Sequence, residues 1–116
     1  MLHNAPTVLE DIRRATELIQ QFTASRSLAE YAAEDLLRSA VERQFIIIGE
    51  ALARLEKLDA ALASRIPDCR KIIGFRNVLV HGYEMIEDPI VWNTVQDHLP
   101  ILKQQIEKLL AEFGPP

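Results

Sequence analysis

The chain is poor in almost everything that staples a small protein together. Its one cysteine, Cys69, excludes an intrachain disulfide and a zinc-binding thiolate cluster. No set of His, Cys, Asp and Glu residues has the spacing of a metal site, and no glycine-rich loop is present to cradle phosphates. No cofactor is expected. Glycine is scarce, four in 116 residues, and proline sits mostly at ends and joints. No apolar run approaches the roughly 18 residues of a membrane span. The first residues, Met1-Leu2-His3-Asn4-Ala5-Pro6, lack the basic-then-apolar pattern of a secretory leader. A cytoplasmic protein without membrane contact is therefore expected.

Positive charge is also in deficit, with a formal net charge of −4. Proteins that coat long nucleic acid by counterion release are usually basic. Nucleic acid would have to be held here by a local patch. Arg65, Arg70, Lys71 and Arg76 offer one, with Asp68 the only acid between them in sequence. The same cations also read as an ordinary solvated helix face.

What the chain does have is apolar residues at helical spacing. They make up 48% of it, enough for one globular domain over 1–116. No alternating strand pattern or internal repeat is visible, so the fold is read as all-α. Thr7 and Glu10 have the spacing of a capping box. Val8, Ile12, Ala15, Ile19 and Phe22 then fall on one face. A second box, Ser27 with Glu30, predicts one long helix to about Leu58. Its middle, Phe45-Ile46-Ile47-Ile48, is apolar all round, which predicts burial on every side and a second chain to complete it. Gly49 follows inside the helix, where glycine costs about 1 kcal/mol against alanine, so something is expected to approach closely there. Glu50 reads equally as a buried, paired acid or an exposed one.

Asp59 to Arg65 reads as a short link. Ile66-Pro67 is expected to open a third helix, carrying Cys69, Ile72, Ile73, Val78 and Val80 and ending near Gly82. Asp88-Pro89 predicts a helix start, and Trp92, Val95, Leu99, Leu102, Ile106, Leu109 and Phe113 form its apolar face. Pro100 predicts a kink. Four or five helices joined by short loops imply an antiparallel bundle.

The chemistry concentrates in Gly74-Phe75-Arg76-Asn77-Val78-Leu79-Val80-His81-Gly82-Tyr83. Val and Leu are expected to bury one side and leave the polar residues on the other. Arg76 offers a planar, permanently charged fork matched to phosphate oxygens. His81 is the usual kind of proton carrier near neutral pH, at a helix end where the dipole favours positive charge. Arg76 and His81 lie about 140° apart around an ideal helix and would straddle a groove. Asn77 shares a face with His81. Gly82 is expected to end the helix and let Tyr83 turn back. One such histidine per chain suggests that an acid and a base together need two chains. The bland alternative is a helix end with a capping histidine and a packed tyrosine. His3 reads as a tail residue, His98 as a partly exposed histidine and Cys69 as a small apolar filler.

Arg76 to Tyr83 resembles the Arg-x4-His-x-Tyr signature of the HepT-like branch of the HEPN family. Ile48-Gly49-Glu50-Ala51, Ile66-Pro67, Val91-Trp92 and Leu99-Pro100 extend the resemblance over most of the chain. Many relatives carry Trp shortly after the Ile-Pro, where this chain has Asp68-Cys69. The resemblance implies a homodimeric four- to five-helix bundle with the two motifs facing across a cleft. It implies a metal-independent ribonuclease toxin, with Arg76 and His81 catalytic and Asn77 supporting; Glu50 is expected to support, and the cations Arg65, Arg70 and Lys71 to form the RNA-binding patch. Transfer RNA ranks above messenger RNA as the substrate. The implied partner is a minimal nucleotidyltransferase (MNT) antitoxin that transfers AMP from ATP onto Tyr83. Two other readings stay open: a non-catalytic HEPN module that binds nucleotide or RNA or docks the partner, and a plain structural helical dimer.

Overall fold

A computed structural model describes residues 4–114, without the side chain of Tyr83. Every regular element among the described residues is helical. The first helix, α1 (Ala5–Thr23), starts earlier than expected. Its cap is Asn4, not Thr7: the Asn4 side chain accepts the Thr7 backbone N–H at 3.0 Å. Pro6 has no N–H and a preset φ, so it fits the first turn and lets the helix reach back to Ala5. Val8, Ile12, Ala15 and Ile19 are buried as expected, and Leu9 joins them. Two buried hydroxyls are satisfied locally, Thr16 donating to the Arg13 carbonyl at 2.7 Å and Thr23 to that of Ile19 at 2.8 Å.

The Ser27–Glu30 capping box is complete. The long helix expected after it is broken in two, α2 (Leu28–Ala33) and α3 (Asp35–Leu58). Glu34 between them is extended, with φ −113° and ψ 105°. The reason lies in the pattern. After Tyr31 a continuous helix needs apolar residues at 34 or 35, and both are acids. Arg26 pairs with Glu34, and Arg38 with Asp35 and the Ala32 carbonyl, so cations hold the corner. The bend lets Tyr31 enter the core against Trp92, ring centroids 5.5 Å apart.

A four-residue helix, α4 (Ala60–Ala63), is capped by Asp59, whose carboxylate accepts the Leu62 N–H. Helix α5 (Cys69–His81) begins two residues after Pro67, behind a left-handed Asp68 at φ 58°. Pro67 therefore lies in the preceding turn. A single 3-10 turn, Tyr83–Met85, leads to α6 (Asp88–Asn93), whose first-turn proline is Pro89 and whose cap is Glu87, one residue before the expected Asp88. The kink expected at Pro100 takes the form of a π-helical turn, Thr94–His98, ahead of α7 (Leu99–Phe113). Pro100 has no N–H to offer the carbonyl four residues back, and its ring crowds that carbonyl. The turn widens, and the Leu99 N–H bonds the Thr94 carbonyl five residues back. Val95, Leu99, Leu102, Ile106 and Leu109 are buried, while Phe113 at the end is exposed.

The helices pack as an antiparallel bundle. Helix α3 is central. It meets α1 across a groove lined by Asp11, Leu18, Gln44 and Arg54, and α5 with Glu56 near Arg70 and Phe45 near Phe75. The start of α1 lies against the end of α7. In the Phe45–Ile48 run, Phe45 and Ile48 are core, but Ile46 and Ile47 are only half-buried within one chain. No helix among the described residues is long and apolar enough to cross a membrane.

Two carboxylates lie near the buried Tyr31. Its hydroxyl has no hydrogen-bond partner among the described residues. Burial pushes that hydroxyl well above its ordinary range, and the charges of Glu42 and Asp88 add to the shift. Burial, with Asp88 in support and Arg38 opposing, also raises Glu42 above its ordinary value of 4.5. A raised carboxyl means that the folded chain holds this proton more tightly than the unfolded chain. Its stabilising contribution is full below about pH 4 and is lost as pH rises through and above the ordinary carboxylate range. Glu42→Gln is therefore expected to match the wild type in urea unfolding near pH 4 and to exceed it at pH 7. Lower stability of Glu42→Gln at pH 7 would contradict this assignment.

Candidate functional site

Helix α5 turns out to be divided differently from the expected split of Val and Leu against polar residues. Leu79 is buried, but Val78 and Val80 are 41% and 42% exposed. The inward stripe runs Cys69, Ile72, Arg76, Leu79, at steps of three and four. Arg76 thus occupies a position where the other members are apolar. Its stem is half-buried and its Nε is fully buried, without a hydrogen-bond partner among the described residues. Leaving such a donor unpaired costs about 1–3 kcal/mol, and more when the group is charged.

The stem is accommodated by Gly49. A Cβ added there would collide with Cβ of Arg76 and stand 2.7 Å from its Cγ, with the Ile72 carbonyl 3.5 Å away. The close approach expected at Gly49 is thus real, and the approaching group is the arginine itself. On the other flank Phe75 meets Phe45 edge to face, centroids 5.2 Å apart, a geometry worth about 0.5–1.5 kcal/mol beyond buried area. Arg70 reaches Glu56 at 3.1 Å further along the seam. These contacts fix the rotation of α5 against α3.

Asn77 and His81 are both exposed, one turn apart on the outer side of α5. His81 is the last helical residue, and Gly82 closes the helix with its N–H on the Val78 carbonyl at 2.8 Å. Gly82 does so at φ −127°, so no left-handed residue is needed, and a Cβ there would meet only ordinary contacts. The chain turns into the Tyr83–Met85 turn through a bond from the Met85 N–H to the Gly82 carbonyl. The phenol of Tyr83 and all of His3 lie outside the described residues.

Glu50 is exposed, but on the opposite flank of α3 from α5. It lies in a groove of about 310 Å³ between α1 and α3, with Asp11, Arg14, Gln44 and Arg54. The structure brings Arg76 to Gly49, and Glu50 to α1.

The basic patch is more balanced than the sequence suggests. Arg65 makes a bidentate pair with Glu112, at 2.9 and 2.6 Å, which holds the Glu112 carboxyl below its usual range. Arg70 pairs with Glu56, and Lys71 lies 3.7 Å from Asp68. Two of these acids come from distant helices, which is why the local sequence did not reveal them. His98 is exposed, its Nδ1 4.0 Å from Asp68. Cys69 is buried, and burial, then the charge of Glu56, push its thiol up, away from the nucleophilic thiolate. Among the described residues no three His, Cys, Asp or Glu side chains are gathered to hold a metal ion.

The chain was compared with known proteins. Residues 12–109 match the model of a family described as ribonuclease HepT-like. A relative from Thermococcus cleftensis, named a probable ribonuclease HepT, is 35% identical over 87% of this chain and 91% of its own length. A relative from Caldanaerobacter subterraneus subsp. tengcongensis, whose name provisionally marks it as an RNase, is 29% identical over 90% of this chain and 92% of its own. One from Methanocaldococcus jannaschii, named in the same way, is 28% identical over 85% and 90%. No solved structure gives a match of comparable significance. With an inward arginine, an exposed histidine at the end of the same helix, and a family match over most of its length, the chain belongs to the HepT-like ribonuclease family.

Proposed function

We propose that this protein is a cytoplasmic RNase toxin of a toxin–antitoxin pair, cutting RNA without a metal ion at a site built on α5. The observation that carries the reading is the buried Nε of Arg76, which has no partner among the described residues. It marks a charged group held at a structural cost, as functional groups often are. Family membership supplies the reaction class.

In such a reaction the 2′-hydroxyl oxygen attacks the neighbouring phosphorus and the 5′ oxygen leaves. A cyclic 2′,3′-phosphate and a 5′-hydroxyl result. Arg76 neutralises the charge that grows on the phosphoryl oxygens. His81, exposed at the helix end, exchanges the proton of the attacking or the leaving oxygen. Asn77, one turn away, supports it. One histidine serves one proton transfer, so the second comes from a second copy of the chain. The exposed Val78 and Val80 beside His81 favour a homodimer that covers the outer side of α5. Arg65, Arg70 and Lys71 extend the RNA contact. These cations are themselves exposed, where ion pairs are weak, so phosphate can replace their carboxylate partners. Glu50, in the α1–α3 groove, supports from a distance. Transfer RNA is the proposed substrate.

Regulation is proposed to fall on Tyr83, two residues beyond His81. The phenolic oxygen would attack the α-phosphorus of ATP on an MNT-type partner, with pyrophosphate leaving and AMP remaining on the tyrosine. The added phosphate and adenosine would repel and block RNA beside His81.

Purified protein is expected to cut RNA in the presence of EDTA. His81→Ala and Arg76→Ala are each expected to lower the rate by about a hundredfold or more, His81→Ala without changing the unfolding curve. Undiminished cleavage by His81→Ala would sink the ribonuclease site, and stable RNA binding without cleavage by the wild type would favour a docking module. Co-expression with the genomic neighbour is expected to add the mass of one or more AMP groups, absent in Tyr83→Phe. An unmodified chain would remove the regulatory half of the proposal.

A further inference from the structure

Gly49 stands on a different helix from Arg76, Asn77 and His81, yet it touches the most important of them. The Cβ and Cγ of Arg76 occupy the space that a side chain at 49 would need. Those two atoms are the rigid base of the arginine. The Cβ, the nearer of the two, is set by the α5 backbone and cannot swing aside as the tip of a long side chain can. The backbone does not explain the glycine, because the only glycine among the described residues with a positive φ is Gly114. Nor is glycine a general feature of this seam. Gly74, on α5 itself, is exposed, and a Cβ there would meet nothing within 4 Å.

The consequence appears at the far end of the stem. With its base set in the Gly49 notch, Arg76 lies along α3 and its Nε is closed off from solvent. A guanidinium can grip phosphate side-on, through Nε and one Nη, or end-on, through both Nη. A buried Nε closes the first mode.

We infer that Gly49 is a positioning residue for Arg76: its missing side chain forms the notch that seats the arginine stem and turns the guanidinium so that it meets phosphate end-on through its two Nη nitrogens. The inference rests on the reading of Arg76 as the phosphate-binding residue. It separates Gly49 from its neighbour Glu50, which faces the α1–α3 groove.

The test pairs Gly49→Ala with Gly74→Ala as the helix-glycine control. The first readout is hydrogen exchange of the Arg76 Nε–H by NMR, assigned by its loss in Arg76→Lys. The second is kcat and KM for RNA cleavage. In the wild type that Nε–H is expected to exchange slowly. In folded Gly49→Ala it is expected to exchange about tenfold faster or more, because the burial that protects it is gone. The same variant is expected to lose about a hundredfold in kcat, the scale of a misplaced catalytic group, with a smaller change in KM. Gly74→Ala is expected to leave both readouts unchanged. If Gly49→Ala does not fold, the pair Gly49→Ala/Arg76→Gly, which clears the notch from the other side, is expected to restore folding. Failure of that rescue overturns the inference. So does a folded Gly49→Ala with an unchanged Nε–H, or one with a faster Nε–H and wild-type kcat. If the wild type cuts no RNA at all, the ribonuclease reading fails, and the Nε exchange alone then decides whether Gly49 seats Arg76.

Discussion

The seam between α3 and α5 carries a charged side chain where an aliphatic one would be more stable. Arg76 sits between Ile72 and Leu79 on the inward stripe of α5, its stem pressed into the gap at Gly49. Two unfavourable local choices meet there. Glycine inside a helix costs about 1 kcal/mol against alanine. A buried, unpaired donor costs about 1–3 kcal/mol. Neither improves the core, and each makes sense only with the other. The Phe45–Phe75 edge-to-face pair on one flank helps hold that one contact. Once α5 cannot rotate, the placement of Asn77 and His81 on the outside follows from helix geometry alone.

Most of the frame was legible because amphipathic periodicity reports it directly. The inward faces of α1 and α7, the Ser27 cap and the end of α5 at Gly82 all follow from spacing and capping chemistry. The misreadings share a cause. The corner at Glu34 was read through because the apolar pattern resumes at Leu37, although acids at 34 and 35 already deny a continuous helix its inward residue. Arg76 was placed on the polar face by its charge. The steps 69, 72, 76 and 79 put it on the buried stripe, and counting them would have shown it. Its contact with Gly49 needs the antiparallel register of α3 and α5, which no local pattern carries. The same holds for Glu56 and Glu112, which reach the basic patch from other helices.

That balance of charge shapes what the surface can do. A chain of net charge −4 whose basic patch is already paired with carboxylates has little general pull on nucleic acid. Under the proposed function, binding would depend on a few groups that phosphate can claim, with Arg76 foremost because its charge is anchored from below. Such a site would also be sensitive to a single added anion beside it, which is the physical sense of the switch proposed at Tyr83, two residues past His81. The exposed Val78 and Val80 give the same surface an apolar component that a second copy can bury.

The most direct test is a crystal structure of the protein with a short RNA whose scissile 2′-hydroxyl is replaced by hydrogen, so that it binds and is not cut. The expected result is a backbone phosphate with its oxygens about 3 Å from both Nη nitrogens of Arg76, its Nε still buried against α3, and His81 beside the bridging oxygen. A phosphate seated instead in the α1–α3 groove on Arg14 and Arg54, with Arg76 untouched, would contradict it.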